Sequence, residues 1–172
     1  IENNKLLNKI DLLKKLNIQN NNKNMIVTFH PEFSFNETIT KKKFSIVCKV
    51  LSTLKNFNII FTAPAQELNS HIIIKLINNF CKKNKNAKYI KSLGRNIYFS
   101  CLKHFDILLG NSSSGIIEAP YFNIPVINIG RRQYGRDCSL NILNSNYTIE
   151  DISNQINYAV SKKFKNRMKK NK

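Results

Sequence analysis

Two hydrophobic spacings alternate along this chain. Apolar residues at helical spacing predict amphipathic helices over residues 5–16, 37–55, 68–83, 97–103, 114–122 and 148–161. Short apolar runs between them predict buried strands over residues 25–29, 58–62, 87–91, 105–109 and 125–129. Because strands and helices alternate with short links, the pattern predicts an α/β domain built on a Rossmann-like, doubly wound parallel sheet with helices on both faces.

The whole chain, residues 1–172, is predicted to form one domain without internal repeats. It begins at Ile1 instead of a methionine, which we interpret as a segment cut from a longer protein. The last dozen residues, rich in Lys and Asn, are expected to fray. Apolar runs shorter than the roughly 18–20 residues of a membrane helix, and a polar N-terminus unlike a signal peptide, predict a cytoplasmic protein without a membrane partner.

A formal net charge of +18 supports two interpretations. Positive charge attracts polyanions, such as nucleic acid or a phosphorylated substrate. Alternatively, a coding bias toward Lys and Asn would produce the same excess on solvated faces and tails. The charges are scattered and are not interleaved with aromatic residues in a nucleic-acid motif, so we expect no nucleic-acid partner.

Four cysteines stand far apart in the sequence, and none of them forms a C-x-x-C pair. This spacing predicts no zinc site. Small buried residues in a reducing cytoplasm are the expected interpretation for all four, Cys48, Cys81, Cys101 and Cys138. No metal and no cofactor is expected.

The segments that follow the strands are the candidates for function, because parallel sheets bind ligands beyond the carboxyl ends of their strands. After the strand at 105–109 come Gly110, Asn111, Ser112, Ser113, Ser114 and Gly115. Small residues at the start of a helix let backbone N–H groups approach a phosphate. Glu118, in the first turn of the predicted helix, suits the hydroxyls of a ribose. An ordinary serine N-cap followed by an acidic residue is the alternative.

The strand at 125–129 is followed by an arginine-rich loop, residues 130–136. Arg131, Arg132 and Arg136 stand between flanking glycines, beside Gln133. Guanidinium groups bind phosphate oxygens in a fork, so the loop is a candidate phosphate clamp. A solvated basic loop is the alternative in a protein of this charge.

His30 follows the first strand and precedes Pro31, which would fix the turn. A histidine at this position can bind phosphate or move a proton, although a lone histidine is equally often structural. His71 and His104 are interpreted as surface or packing residues. Residues 61–67, after the second strand, form a turn without a catalytic signature.

Taken together, these motifs resemble the hydrolysing UDP-N-acetylglucosamine 2-epimerases. The resemblance is carried by the run at 110–120, by residues 122–130, and by the Arg-Gln and Gly-Arg pairs at 132–136. The Val-Thr-Phe-His-Pro run at 27–31 matches an earlier motif of that family. Order and spacing agree over roughly residues 25–155.

This resemblance implies a two-domain fold of the glycosyltransferase B type, with the present chain as its C-terminal, nucleotide-binding half. It implies elimination of a nucleoside diphosphate from the sugar, followed by addition of water to give free N-acetylmannosamine for sialic-acid-type synthesis. His30 would lie beside the diphosphate and sugar, Ser112 and Ser113 would hold phosphates, Glu118 the ribose and Arg132 the diphosphate. The proton-shuttling carboxylates would belong to the missing N-terminal domain, so the chain alone is expected to be inactive. A homodimer is common in this family.

Three positions depart from the family's usual pattern. Residues 65–67 read Ala-Gln-Glu where Asn-Ala-Asp is common, residues 70–71 read Ser-His for Gly-Arg, and residues 32–33 read Glu-Phe for Val-Thr. These departures leave open a UDP- or GDP-linked substrate, and a 2,4-diacetamido sugar of the legionaminic type. A glycosyltransferase of the same architecture is a further alternative.

Overall fold

The computed structural model describes residues 6–169. Its helices are α1 (Lys9–Leu16), α2 (Glu37–Thr53), α3 (Ser70–Lys83), α4 (Gly94–His104), α5 (Ser114–Ile117), α6 (Ile149–Ala159) and α7 (Lys162–Lys169), with a 3-10 turn at Ala119–Phe122. Its strands are β1 (Lys23–Thr28), β2 (Phe57–Thr62), β3 (Ala87–Ile90), β4 (Ile107–Gly110), β5 (Val126–Ile129) and β6 (Ile142–Ser145).

The strands form one parallel sheet in the order β3-β2-β1-β4-β5-β6. The winding reverses between β1 and β4, which lie side by side at the centre. In such sheets the crevice for a ligand opens at the point of reversal, outside the carboxyl ends of the strands. The predicted doubly wound α/β fold is confirmed.

Hydrophobic layers cover both faces of the sheet. Met25 and Val27 of β1 point to one face and pack with residues of α2, α3, α6 and α7. Ile26, between them, points to the other face and packs with residues of α1 and α4. Because successive side chains of a strand alternate between faces, a central strand covered on both sides is apolar throughout, which explains why the run at 25–29 was recognisable.

Two predicted helices have different bounds in the structure. α1 begins at Lys9, where the Asn8 side chain caps it, and Lys5 of the predicted helix lies outside the described residues. The helix predicted over 114–122 is broken, because Pro120 has no N–H to donate and disfavours the α conformation of Ala119. Glu118 therefore follows the last turn of α5 and does not lie in a first turn.

The region after residue 140 holds two elements that the pattern did not predict. β6 is a four-residue edge strand in which Ile142 and Leu143 are the apolar positions. α7 occupies part of the tail that we expected to fray. That expectation was wrong for residues 162–169, because Phe164 is fully buried and packs on Tyr158. Residues 170–172 lie outside the described residues.

Smaller expectations have mixed outcomes. The helix predicted over 148–161 is present as α6, and Thr148 caps it by accepting a hydrogen bond from the backbone N–H of Asp151. Cys101 is buried in α4, and Cys48 and Cys81 are half-buried in helices. The expectation of burial was wrong for Cys138, which is exposed on the loop before β6.

Candidate functional site

His30 and Asn111 join the loops that follow the two central strands. The His30 backbone N–H donates to Asn111 Oδ1 at 2.7 Å, and Asn111 Nδ2 donates to the His30 carbonyl at 2.9 Å. Both residues are buried, Asn111 with 1% of its surface exposed. The Asn111 amide therefore fixes the backbone of His30 at the point where the sheet reverses.

Gly110 allows these two loops to meet. Its φ of 150° lies outside the usual range of other residues, and a Cβ built on it would lie 1.9 Å from the Thr28 carbonyl oxygen. The glycine that was predicted as part of a phosphate loop is thus required by the close approach of β4 to β1. Gly115, the other flanking glycine, is buried, and a Cβ on it would lie 3.0 Å from Val126 Cγ1.

The His30 ring is held by a backbone amide. Its Nδ1 accepts a hydrogen bond from the Ala65 N–H at 2.8 Å. The pKa of His30 is lowered from 6.5 to about 4, chiefly by burial and also by the nearby positive charge of Arg132, while Glu67 acts in the opposite direction. The imidazole is therefore neutral at pH 7.

Arg132 extends from the loop after β5 toward His30. It forms an ion pair with Glu67, with 2.6 Å between Nη2 and Oε1, and the two side chains are 17% and 18% exposed. Arg132 Nε and Glu67 Oε2 are buried without a partner among the described residues. Gln133 is buried as well, and its Nε2 donates to the Asn111 carbonyl at 2.9 Å. The arginine loop, residues 130–136, is thus anchored to the serine loop, residues 110–115.

Glu67 is a site residue that the sequence pattern missed. It lies in the turn after β2, where no motif was recognised. Since β2 is next to β1 in the sheet, the turn at 63–67 reaches both His30 and Arg132. The available signal was topological, because in a parallel sheet every segment that follows a strand begins at the same edge of the sheet.

The serine loop carries a chain of hydroxyl groups. The Oγ atoms of Ser114 and Ser112 lie 3.2 Å apart, and Tyr98 Oη is 2.5 Å from Ser114 Oγ. Ser113 is the N-cap residue of α5, but its side chain makes no capping hydrogen bond. The ordinary capping role that could have explained a serine here is therefore not filled by Ser113.

A cleft of about 600 Å³ opens beside these groups. Glu118 lines it, and Glu118 Oε2 is buried with no hydrogen-bond partner among the described residues. The residues that line the cleft come from the ends of β1 and β2, from the segment that follows β3, from α4 and from the serine loop: Thr28, His30, Thr62, Lys91, Ser92, Leu93, Gly94, Arg95, Tyr98, Phe99, Ser112, Ser114 and Glu118. The contribution of residues 91–99 was not predicted from the sequence.

The remaining arginines of the loop point elsewhere. Arg131 is exposed, and Arg136 lines a second, polar cavity of about 400 Å³ near the ends of β5 and β6. Asn128 and Asn144 form part of that cavity and are hydrogen-bonded to each other across the two strands at 2.9 Å. The structure thus brings His30 and Arg132 together, but not Arg136 with them.

A partly buried carboxyl–phenol pair, Glu32 and Tyr147, lies in the segment that follows His30 and next to α6. Glu32 accepts a short hydrogen bond from Tyr147, the residue before the cap of α6. Burial raises the pKa of the Tyr147 phenol, and the bond to Glu32 raises it further. Gly130, with φ of 81°, lies against both groups, and a Cβ there would be 2.2 Å from Glu32 Oε1. This contact ties the end of β5 to the segment after β1.

Neither a metal cluster nor a membrane span is found within residues 6–169. No group of three or more His, Cys, Asp or Glu residues in this range is placed to hold a metal ion. No helix in the same range is both long enough and apolar enough to cross a bilayer.

Comparison with known proteins gives a family match over nearly the whole chain. The model for the family described as UDP-N-acetylglucosamine 2-epimerase matches residues 2–172. The chain is 39% identical over 166 residues to the GDP/UDP-N,N'-diacetylbacillosamine 2-epimerase (hydrolyzing) of Campylobacter jejuni, covering 96% of this chain and 42% of that protein. It is 33% identical over 137 residues to the UDP-N,N'-diacetylbacillosamine 2-epimerase (hydrolyzing) of Legionella pneumophila, covering 80% of this chain and 36% of that protein.

Solved structures share the fold at low sequence identity. The UDP-GlcNAc 2-epimerase of Neisseria meningitidis, bound to UDP-GlcNAc, superposes with a TM-score of 0.64 at 16% identity, covering 94% of this chain and 42% of that one. The chain thus spans about two fifths of the length of these relatives. It corresponds to their C-terminal part.

Proposed function

Because this chain belongs to the UDP-N-acetylglucosamine 2-epimerase family, we propose that it forms the nucleotide-binding half of a hydrolysing nucleotide-sugar 2-epimerase. The observation that carries the proposal is the cleft where the sheet reverses, which is lined by a neutral histidine, a row of hydroxyls and Glu118, whose Oε2 is buried without a partner among the described residues. The Arg132–Glu67 ion pair lies beside that histidine. An N-terminal domain of the glycosyltransferase B type would supply the other half of the cleft. The relatives, more than twice as long as the matched region, support this division.

In this proposal the nucleoside diphosphate lies along the cleft. The ribose hydroxyls donate to Glu118, whose free oxygen is an acceptor already at hand. Ser112, Ser113 and Ser114 donate to the phosphates, and Arg132 neutralises the diphosphate. Asn111, Gly115 and Gln133 contribute by shaping the two loops. Arg136 would reach the substrate only if the loop at 130–136 moved from its present position.

The proposed reaction has two stages. In the first, the bond between sugar C1 and the diphosphate oxygen breaks and a proton leaves C2, which gives an unsaturated sugar and a nucleoside diphosphate. In the second, water adds across the double bond, with its hydroxyl at C1 and a proton on the opposite face of C2. Expelling a diphosphate requires positive charge and fixed donors on the leaving group, which Arg132, His30 and the serine loop supply. The groups that move the C2 proton belong to the other domain.

We propose a uridine nucleotide, because the relatives of Legionella pneumophila and Neisseria meningitidis act by name on UDP-linked sugars, and that of Campylobacter jejuni on GDP- or UDP-linked sugars. Lys91 and Arg95 line the cleft and can donate to the two carbonyl oxygens of uracil. The relatives act by name on 2-acetamido sugars or on their 2,4-diacetamido analogues. A UDP-linked 2-acetamido sugar is therefore the proposed substrate, giving N-acetylmannosamine when that sugar is N-acetylglucosamine.

The setting of the enzyme is part of the proposal. Cysteines without disulfides fit a reducing cytoplasm. A homodimer, the absence of nucleic-acid binding and the inactivity of this chain alone stay predictions. Sugar release by the chain by itself would contradict the last of these.

Isothermal titration of the chain with UDP and, separately, with GDP tests the proposal. We expect saturable binding of UDP, weaker binding of GDP, and a loss of about 100-fold for Arg132→Ala, as for removal of charge-assisted bonds to a phosphate. Arg131→Ala is the matched control, because Arg131 is an exposed neighbour on the same loop. A folded chain that binds neither nucleotide, or that loses as much affinity with Arg131→Ala, would overturn the assignment.

A further inference from the structure

The hydrogen bonding around His30 defines its chemical role. We propose that His30 acts as a neutral hydrogen-bond donor through Nε2, locked in that tautomer by the Ala65 backbone, and serves neither as general acid nor as general base. This inference rests on the proposed function only in the identity of the acceptor, an oxygen of the leaving diphosphate.

The tautomer follows from one contact. The Ala65 N–H is a permanent donor, and it points at His30 Nδ1 from 2.8 Å. Nδ1 must therefore offer its lone pair, and a neutral ring then carries its proton on Nε2. An imidazolium would place two N–H groups against each other at this distance.

Contacts on two sides hold His30 in this orientation. On one side, the His30 backbone is held at both its N–H and its carbonyl by the Asn111 side chain. On the other, Ala65 lies in a turn closed by the bond from Glu67 N to the Ala65 carbonyl, at 2.8 Å. The ring is thus fixed between the loops that follow β4 and β2, and Nε2 is the nitrogen left for the cleft.

The charges that face His30 favour the neutral ring. Burial is the largest cause of its lowered pKa, and the Arg132 guanidinium, from the loop after β5, adds to it. The Glu67 carboxylate, from the loop after β2, opposes both, but it is itself paired with Arg132. With a pKa of about 4 the ring holds no second proton at neutral pH.

This state narrows what His30 can contribute. It has no acidic proton to deliver to the leaving oxygen. Its protonated Nε2 has its electron pair in the aromatic ring, so that nitrogen is not basic and cannot remove the C2 proton. It can stabilise negative charge on the diphosphate as that charge develops, without transfer of a proton. The proton chemistry of both stages then depends on groups other than His30.

Nitrogen-15 NMR of the chain tests the tautomer without any ligand. The chain has three histidines, and His30→Gln identifies the signals of His30 by their loss. We expect a protonated Nε2, an unprotonated Nδ1 and no titration between pH 5.5 and 8. A His30 midpoint near 6.5, or a proton on Nδ1, would overturn the proposal.

Two pairs of variants test the role. A Gln amide nitrogen can reach the place of Nε2, and the shorter Asn amide cannot, so UDP affinity should fall less than about five-fold in His30→Gln and at least ten-fold in His30→Asn. Ala65→Pro removes the N–H that faces Nδ1, and Ala65→Gly keeps it, so the first alone should raise the His30 midpoint and admit the other tautomer. Circular dichroism of each variant checks folding.

The outcomes separate this inference from the proposed function. If UDP binds the unmodified chain and His30→Asn keeps as much UDP affinity as His30→Gln, the donor role of His30 is wrong. The proposed nucleotide binding then still stands. If UDP does not bind the unmodified chain, the proposed function fails, and the NMR spectra still decide the tautomer.

Discussion

The two ends of the sheet are both polar and basic, but they use their polar groups differently. At the amino end, Asn58 Nδ2 donates to the Gln19 carbonyl and to Asn24 Oδ1 at 2.7 and 2.8 Å. The backbone N–H of Asn24 donates to Asp106 at 2.8 Å, and Lys88 caps the end of α1 by donating to the Leu16 carbonyl at 3.1 Å. These polar groups therefore make their hydrogen bonds within the protein itself.

At the carboxyl end, ionisable side chains are buried with some polar atoms that have no hydrogen-bond partner within residues 6–169. Glu118 Oε2, Glu67 Oε2 and Arg132 Nε have no partner among the described residues. The comparable atoms at the amino end, Asn24 Nδ2 and Asn141 Oδ1, belong to neutral amides. An unpartnered charged group costs much more free energy to bury than an amide does.

A cavity of similar size exists at both ends. The one at the amino end, about 500 Å³, is lined by asparagines and by Lys55, Lys85 and Lys88. Neither cavity volume nor positive charge therefore distinguishes the two ends. The distinction lies in buried atoms of charged groups that lack a hydrogen-bond partner in the described part of the chain, which makes the carboxyl end complementary to a ligand and the amino end complementary to its own chain.

The largest effect expected from this difference is a dependence of stability on pH. The folded-state pKa of His30, about 4, lies below its ordinary value of 6.5, so the unfolded chain binds more protons between these values. The free energy of unfolding should therefore fall as the pH falls, with His30 contributing about 2–3 kcal/mol of that loss between pH 7.5 and 4.5. Urea unfolding of the chain and of His30→Gln measures it as the difference between the two. Parallel pH curves would contradict the expectation.

Glu118→Ala should separate binding from stability at the carboxyl end. We expect UDP affinity to fall about 30-fold, near 2 kcal/mol, because a charged acceptor for the ribose is lost. The free energy of unfolding should stay the same or rise, since a buried oxygen without a partner is removed. Titration with 2′-deoxy-UDP, alongside UDP, isolates the ribose contact. A variant that is destabilised but binds UDP normally would reverse our view of this end.

Asn58→Ala, at the amino end, should lower the stability of the fold and leave UDP affinity nearly unchanged. Its loss removes the bonds to Gln19 and Asn24 and should lower the free energy of unfolding by about 1.5 kcal/mol. UDP affinity should remain within two-fold. Asn20→Ala, an exposed position nearby in the chain, serves as the control for urea unfolding. A large loss of affinity in Asn58→Ala would remove the contrast between the ends.

Ser112→Ala should have the smallest effect. One hydroxyl among several donors to a phosphate is worth about 1 kcal/mol or less, so UDP affinity should fall roughly four-fold. Ser139→Ala, on an exposed loop, should leave it unchanged. Equal affinities of the two variants in the same titration would place the phosphate away from Ser112.

The sequence pattern predicted most of the helices and strands, and the two elements that it missed bury few apolar side chains. β1 and β4 were recognisable because β4 is buried throughout and β1 is buried from Asn24 onward. In contrast, β6 offers two apolar residues at an edge, and α7 has Phe164 as its buried residue, with Met168 only partly buried. Hydrophobic periodicity reports the number of buried positions. A short or mostly solvated element therefore leaves too weak a pattern.

The candidate site was predictable as far as it depends on position along the chain. His30, the serine loop and Arg132 each follow a recognisable strand. Glu67 and Lys91 follow strands too, but their relevance depends on β2 lying next to β1 and β3 lying next to β2, which the order of elements does not specify. The pairing of Arg132 with Glu67 is a property of the folded sheet.

The pairing of β1 with β4 also governs how the cleft comes into being. Its register joins Met25 to Ile107 and Thr28 to Gly110, so strands some eighty residues apart in the chain must meet. Contacts of such long range form slowly, and until β4 arrives one edge of β1 stands open to pairing with other chains. A growing polypeptide therefore has no cleft until β4 has been synthesised and docked. Nucleotide binding, measured on freshly made protein, would count the molecules in which that central pairing is complete.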